Sequence, residues 1–347
     1  MNPVNTTGHL TSAEYKVVNE FVVKQCDGLD GVEDGLIVNP QRCKPNIAQL
    51  DCSQSFANQS ACLNTAQIEV RHLVRCRDAA HTDASDADNV HHLVRLGVDE
   101  WHVALPWLRG WLGGPGRLLC DRRAIWCVHL WHTRDAGVLR EGGAGPGPDY
   151  FRYQVLNKTT VGSLEVDEPE LERLLAIADL TDPGQTTAID PHIQDFLSHG
   201  KLITYVGLSD TLIPSGSSIW YWHRVRQALG FPEDLDDSYR MFAIPGMGHC
   251  RGGPGAWCAG QAEQEDISLG GATQSVSFDA SHDMILALID WVEKGKAPDH
   301  IIGAKYIGDD KRNGTAFTRK LCPYPQEGVY VGGDTDSADS FECRYNA

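Results

Sequence analysis

At 347 residues, with 41% apolar side chains, the chain is long enough for one large globular domain or two smaller ones. Its net charge of -17 argues against nucleic acid or an anionic membrane surface as a partner, because both need a basic face. No apolar run approaches the roughly 20 residues of a membrane span, and Met1 to Asn5 has neither the basic start nor the apolar core of a signal peptide.

Eleven cysteines, with sequons at Asn5, Asn58, Asn157 and Asn313, nevertheless point to an oxidising, extracellular compartment. A secreted chain that starts without a leader is expected to lack its natural amino terminus.

In chain order, the first informative stretch is the acidic loop Cys26 to Ile37. Asp27, Asp30 and Asp34 fall within eight residues, interleaved with Gly28, Gly31 and Gly35 that let the chain curl. Hard Ca2+ takes six to eight oxygens from carboxylates and carbonyls. The spacing is not that of an EF-hand, and a solvated acidic turn accounts for it equally well.

From about His72 to Pro148 the composition changes abruptly. The stretch has no Lys, Met, Phe or Tyr, yet holds half of the histidines and Trp101, Trp107, Trp111, Trp126 and Trp131. Three readings stand: a metal or ligand site built on His91-His92 and His129-x-x-His132, a poorly ordered insertion, or translation in the wrong frame with a return near Asp149 to Phe151. The third fits the composition best, and no function is assigned within it.

Beyond it, Asp190 to Leu197 reads as a short helix. Leu202 to Val206 is an apolar run with strand character, followed by Gly207-Leu208-Ser209-Asp210. Ser217 to Leu229 reads as a helix with Ile219, Trp222, Val225 and Leu229 near one face and Gly230 as its stop. Met241 to Ile244 is a second apolar run, followed by Pro245-Gly246-Met247-Gly248-His249-Cys250. Ser281 to Lys294 is a helix with Met284, Leu288 and Trp291 at helical spacing, ended by Gly295. Trp220 and Trp222 read as core in preference to a cleft border.

An acid and then a histidine, each in a loop after its own strand, are the second and third members of a Ser…Asp…His hydrolase in α/β-hydrolase order. No Gly-x-Ser-x-Gly-like elbow precedes them. Ser53, in Cys52-Ser53, lacks flanking glycines and follows the acidic loop. Ser215, Ser217 and Ser218 read as a helix start.

Pro245 to Cys250 resembles the signature of the tannase/feruloyl esterase family of fungi and bacteria. The resemblance extends over Leu202 to Pro214, over Leu286 and Ile289 to Val292, over Leu321 to Pro325 and over Cys26 to Cys43, and covers roughly two thirds of the chain. It implies an α/β-hydrolase fold, of which this chain holds the carboxy-terminal part of the core sheet, with an inserted calcium-binding lid. Residues 1–187 would form the lid, and 188–347 the carboxy-terminal part of the catalytic domain.

The resemblance assigns Asp210 to orienting His249, and His249 to acid–base work. It implies one structural Ca2+, far from the chemistry, held by the side chains of Asp27, Asp30 and Asp34 and the carbonyls of Val32 and Leu36. It pairs Cys26 with Cys43, Cys52 with Cys62, and Cys322 with Cys343. Cys250 would pair with a cysteine directly before the nucleophile, in a Gly-Cys-Ser-x-Gly-Gly elbow upstream of the calcium loop, and neither that partner nor the Ser is in this chain. Cys76, Cys120, Cys127 and Cys258 have no counterpart.

The implied substrates are small-molecule or plant-polymer esters of phenolic acids, gallate or ferulate; the sequence favours neither acid and sets no oligomeric state. Taken alone the chain is expected to be inactive. The alternatives are a non-catalytic calcium-stabilised domain that binds phenolic or glycan ligands, and a different ester or amide hydrolase on the same scaffold.

Overall fold

The computed structural model describes residues 10–53, 62–68, 149–158, 168–185, 188–210, 213–260 and 274–345. The segment 72–148, with His91, His92, His129 and His132, lies outside the described residues, as do Cys76, Cys120, Cys127, Asn5 and Asn58. The chain forms two compact units, one of residues 1–18 and 46–189, the other of 19–45 and 190–347. Helix α1, Ser12–Cys26, carries the chain from the first unit into the second.

In the first unit, α1 begins in a capping box. The Thr11 hydroxyl accepts from the Glu14 amide at 3.3 Å, and the Glu14 carboxylate accepts from the Thr11 amide at 2.6 Å. The Cys52–Cys62 disulfide forms beside a bridge between Asp51 and Leu63. Helix α2, Glu168–Thr181, sets Leu174 and Ala178 against Tyr150 and Phe151, one turn apart on a single face.

The second unit has α/β character. After the short helix α3, Gln194–Leu197, strand β1, Leu202–Gly207, pairs in parallel with β2, Tyr239–Ile244, in the register Leu202 opposite Tyr239 through Gly207 opposite Ile244. β2 is buried on both faces, as parallel strands are. Tyr239 and Met241 enter one core with Leu197, Ile219, Trp222 and Val225. Phe242 and Ile244 enter the other with Met247, Trp257, Met284 and Ala287. Helix α4, Ser215–Ala228, therefore covers one face and α5, Met284–Lys294, the other. Trp222 is core, as its spacing predicts, whereas Trp220 is half-buried with the Arg224 guanidinium 5.3 Å over its ring.

α5 starts three residues later than the apolar spacing predicts. Asp283, not Ser281, is its cap, accepting from the amides of Ile285 and Leu286 at 3.0 Å. Two antiparallel pairs follow: β3, Ile301–Tyr306, with β4, Thr315–Leu321, and β5, Gln326–Tyr330, with β6, Phe341–Tyr345. Cys322–Cys343 ties the end of β4 to β6, and Cys26–Cys43 closes the acidic loop, so the three pairings the resemblance implies are present. Replacing Cys322 and Cys343 together by Ser is expected to cost about 3 kcal/mol in urea denaturation, from the loop closed in the unfolded chain.

The acidic loop, expected within the lid, packs with the carboxy-terminal residues. Asp34 pairs with Arg319 at 2.6 Å, and Arg319 lies 4.5 Å from the Phe341 ring centre and 4.6 Å from that of Phe317. Asn39 and Arg42 both donate to Glu327, at 2.5 and 2.6 Å. These buried or half-buried polar groups satisfy one another, which makes the contact specific.

Candidate active site

β1 and β2 end side by side, and the loop after each carries one member of the expected pair. Asp210 is 5% exposed at its side chain and His249 is 48% exposed. His249 Nδ1 lies 2.8 Å from Asp210 Oδ2, and Asp210 Oδ1 accepts from the Ile213 amide at 2.8 Å. An ionised carboxylate only accepts, so the proton of this contact sits on Nδ1 and Nε2 is left as the basic nitrogen. The imidazole is thus held in one tautomer by a buried acid, with its outer edge reaching solvent.

The two loops are laced together by backbone. The Leu208 amide donates to the Ile244 carbonyl and the Ser209 amide to the Met247 carbonyl, both at 2.9 Å. Gly207 permits this approach: a Cβ there would sit 2.2 Å from the Gly248 carbonyl oxygen and 2.3 Å from that of Met247. Past His249 the chain doubles back, the Gly248 amide donating to Gly252 at 2.9 Å and the Gly255 amide to Gly246 at 3.1 Å. Cys250, half-buried, sits in the left-handed region at φ 60. A non-glycine residue there costs roughly 1 kcal/mol, so the surrounding contacts must hold it.

None of the serines weighed from the sequence has the setting of a nucleophile. Ser53 is exposed, in a turn where its amide donates to Asp51 at 2.8 Å. Ser215, Ser217 and Ser218 open α4 as expected, with the Ser217 hydroxyl on the Pro214 carbonyl at 2.7 Å. Cys258 is fully buried, and burial pushes its thiol up to about 12, which makes it inert.

The acidic loop offers oxygen donors of the kind a hard cation takes. Asp30 is buried, and burial together with repulsion from Asp34 and Asp27 pushes its carboxyl up to about 6, the situation a cation relieves. Its neighbours are otherwise engaged. Asp27 accepts from the amides of Asp34, Gly35 and Leu36 at 2.9–3.1 Å, and Asp34 from the Leu36 amide at 3.1 Å as well as from Arg319. Among the described residues no three acidic, His or Cys side chains converge as a metal cage. The charge at Asp30 fits a cation; the present hydrogen bonds of Asp27 and Asp34 compete with one.

One apolar side chain of the loop reaches the segment that leads to His249. Leu36 is buried and packs over Gly246, three residues before His249, where a Cβ would be 2.8 Å from its side chain. Leu36, Leu208 and Pro245 line one cavity of about 90 Å³ with Asp30 and Arg319. The sequence holds no local signal for this contact, because it joins segments some two hundred residues apart.

Fold and site together define an α/β protein with a buried acid and a half-exposed histidine paired at the carboxyl ends of adjacent parallel strands, where open α/β sheets place their sites. The sequence profile described as tannase and feruloyl esterase matches residues 2–87 and 144–344, and the chain belongs to that family. It is similar to a probable feruloyl esterase B of Emericella nidulans, 29% identical over 345 residues that make up 98% of this chain and 56% of that protein. Among solved structures it is similar to an esterase from Aspergillus oryzae, with a TM-score of 0.67, 27% identity and coverage of 99% of this chain and 58% of that one. Feruloyl esterase B from Aspergillus oryzae aligns with a TM-score of 0.66, 25% identity and the same coverage. The chain thus spans little more than half the length of the relatives it matches. Among the described residues no helix is long and apolar enough to cross a membrane.

Proposed function

We propose that residues 1–347 are the carboxy-terminal part of a secreted serine carboxylic ester hydrolase that cleaves gallate or ferulate esters, with 188–347 belonging to its catalytic domain. The observation that carries this reading is the 2.8 Å contact between His249 and Asp210 at the ends of adjacent parallel strands. The names of the relatives support the ester class. Secretion is supported by the disulfides and by exposed Asn157 and Asn313 in their sequons.

A serine hydroxyl from an elbow outside these residues gives its proton to His249 Nε2 as its oxygen attacks the ester carbonyl. His249 returns the proton to the leaving alcohol, and an acyl-enzyme remains. Water, giving a proton to the same nitrogen, then attacks the acyl carbonyl, and His249 passes that proton to the serine oxygen as the acyl–oxygen bond breaks and the phenolic acid leaves. Asp210 stays ionised and stabilises the imidazolium in both halves.

The test is hydrolysis of methyl ferulate and methyl gallate by the full-length natural product, with its transcript read across the 5′ end and the codons for 72–148. The family match skips 88–143, which supports the out-of-frame reading for those residues, whereas 72–87 and 144–148 fall inside the match. Binding of phenolic ligands without turnover would favour the non-catalytic alternative.

The same reading gives the acidic loop one structural Ca2+, on the side chains of Asp27, Asp30 and Asp34 and the carbonyls of Val32 and Leu36. Its support is the charge balance at Asp30. Adding Ca2+ is expected to raise the melting temperature by several degrees, since a ligand at 100 times its Kd adds about 2.7 kcal/mol. The pH dependence gives the sign. Without metal, folded Asp30 keeps its proton up to about pH 6 whereas the unfolded side chain loses it near 3.8. Stability therefore falls as pH rises through that window. With Ca2+ the slope reverses, because the ligand must be ionised. Asp30→Asn should remove both slopes. Melting curves with Ca2+ and with chelator that coincide from pH 4 to 8 would leave the loop as an acidic turn.

A further inference from the structure

The turn that carries His249 is touched from outside by a cation. Lys305, on β3, sends its ammonium to the Gly253 carbonyl at 2.6 Å and to Asp309 Oδ1 at 2.5 Å. Asp309 also accepts from the indole of Trp257 at 3.1 Å, and Trp257 is buried in the core beside Met247. The Lys305 side chain is mostly buried, 18% exposed, while its acceptors Asp309 and Gly253 face solvent; the packed stem aims the ammonium, and both bonds are charge-assisted, which makes them stronger than neutral ones.

Gly253 is the return point of the turn. Its φ is 100, and a Cβ there would lie 2.1 Å from the Gly246 carbonyl oxygen, so the strand leaving His249 rests directly on the strand approaching it. The Gly248 amide, one residue before His249, closes the same turn on Gly252. Asp210 holds the imidazole, but nothing in that contact stops the turn itself from shifting. The Lys305 ammonium, on the Gly253 carbonyl and held in turn by Asp309, is placed to do so.

We propose that Lys305 is a positioning residue for His249: by clamping the Gly253 carbonyl it sets the height of the His249 turn against Asp210. The proposal rests on the reading of His249 and Asp210 as an acid–base pair. It predicts that loss of the Lys305 charge loosens the pair even where the fold survives.

The readout is the low-field proton resonance of His249 Nδ1–H, together with amide exchange at Gly248, in the 347-residue chain. Lys305→Met keeps the stem and removes the charge; it is expected to abolish the Nδ1–H resonance and speed Gly248 exchange about tenfold or more. Lys305→Arg, which still reaches both acceptors, is expected to retain both. Asp309→Asn, which keeps the shape of its side chain, is expected to act in the same direction as Lys305→Met but more weakly. The control for plain destabilisation is Lys311→Met, because Lys311 donates to the carbonyls of Ser275 and Val276 and not to the His249 turn. It is expected to lower the melting temperature with the resonance intact.

A resonance unchanged in Lys305→Met, or lost equally in Lys311→Met, overturns the proposal. Asp210→Asn separates the two layers: a resonance that survives it means that His249 and Asp210 are not paired, and the underlying reading fails first.

Discussion

The 347-residue chain is expected to leave methyl ferulate and methyl gallate unhydrolysed, while a protein that joins it to a Gly-Cys-Ser-x-Gly-Gly elbow is expected to lose about ten-thousand-fold or more in kcat on Asp210→Asn. The reason is the tautomer. Asp210 is buried, accepts from the Ile213 amide through one oxygen, and faces His249 Nδ1 with the other. An asparagine held by the same Ile213 contact would turn its amide N–H towards Nδ1. The imidazole would then carry its proton on Nε2, the nitrogen that has to accept one from serine. His249→Ala should cost at least as much. KM should move little in either variant, because the lost interactions belong to the transition state. Steady turnover by the chain alone, abolished by Ser53→Ala, would place the nucleophile inside residues 1–347 and sink the proposed division of the triad.

The second large effect is structural in origin and felt at the same place. Gly207→Ala puts a methyl group where the backbone oxygens of Met247 and Gly248 already are. Neither oxygen can swing away cheaply, since the Met247 carbonyl accepts from Ser209 and Gly248 is held by Gly252. The register of β1 on β2 fixes the other side. Overpacking against backbone of this kind is expected to cost about 2–4 kcal/mol, at or above the usual range for small-to-large changes. The His249 Nδ1–H resonance should vanish even below the unfolding transition. Gly216→Ala, where a Cβ meets nothing within 4 Å, is the matched control and should be near neutral. Equal stability of the two variants in urea would mean that the loops part more easily than their contacts imply.

What could be read from the sequence follows the physics of each element. β1 and β2 are legible because strands buried on both faces are nearly unbroken apolar runs. The apolar run starts two residues inside β2, since Arg240 interrupts it; its guanidinium is satisfied by the carbonyls of Asp236 and Pro298 at 2.9 and 2.6 Å. α4 and α5 announce themselves by stripes at helical spacing and by stops at Gly230 and Gly295, both left-handed, at φ 76 and 69. The antiparallel strands β3 to β6 carry no clear pattern. β4 is largely half-buried, and its Thr, Arg and Lys side chains blur any alternation. α1 is marked in the sequence only by its Thr11-x-x-Glu14 box, a start signal without a strong apolar stripe behind it.

The candidate site divides in the same way. Asp210 and His249 could be paired from chain order, because the loops after neighbouring parallel strands must lie together. Lys305, Asp309 and Leu36 could not. Their roles depend on which backbone atoms they meet, and nothing near them in sequence records that.

The docking of the acidic loop on the last strands has a consequence for how the molecule is made. Asp34 waits for Arg319, and Asn39 and Arg42 for Glu327, partners 285 to 288 residues later in the chain. At roughly 5–20 residues per second of synthesis, that is a delay on the order of fifteen to sixty seconds. Throughout it Asp34, Asn39 and Arg42 lack these partners. Cys26 and Cys43 are only 17 residues apart and can be joined almost at once, so the loop can be held as a small preformed clasp until the end of the chain arrives. The clasp is then complete only when Arg319 and Glu327 have been made, well after the histidine itself.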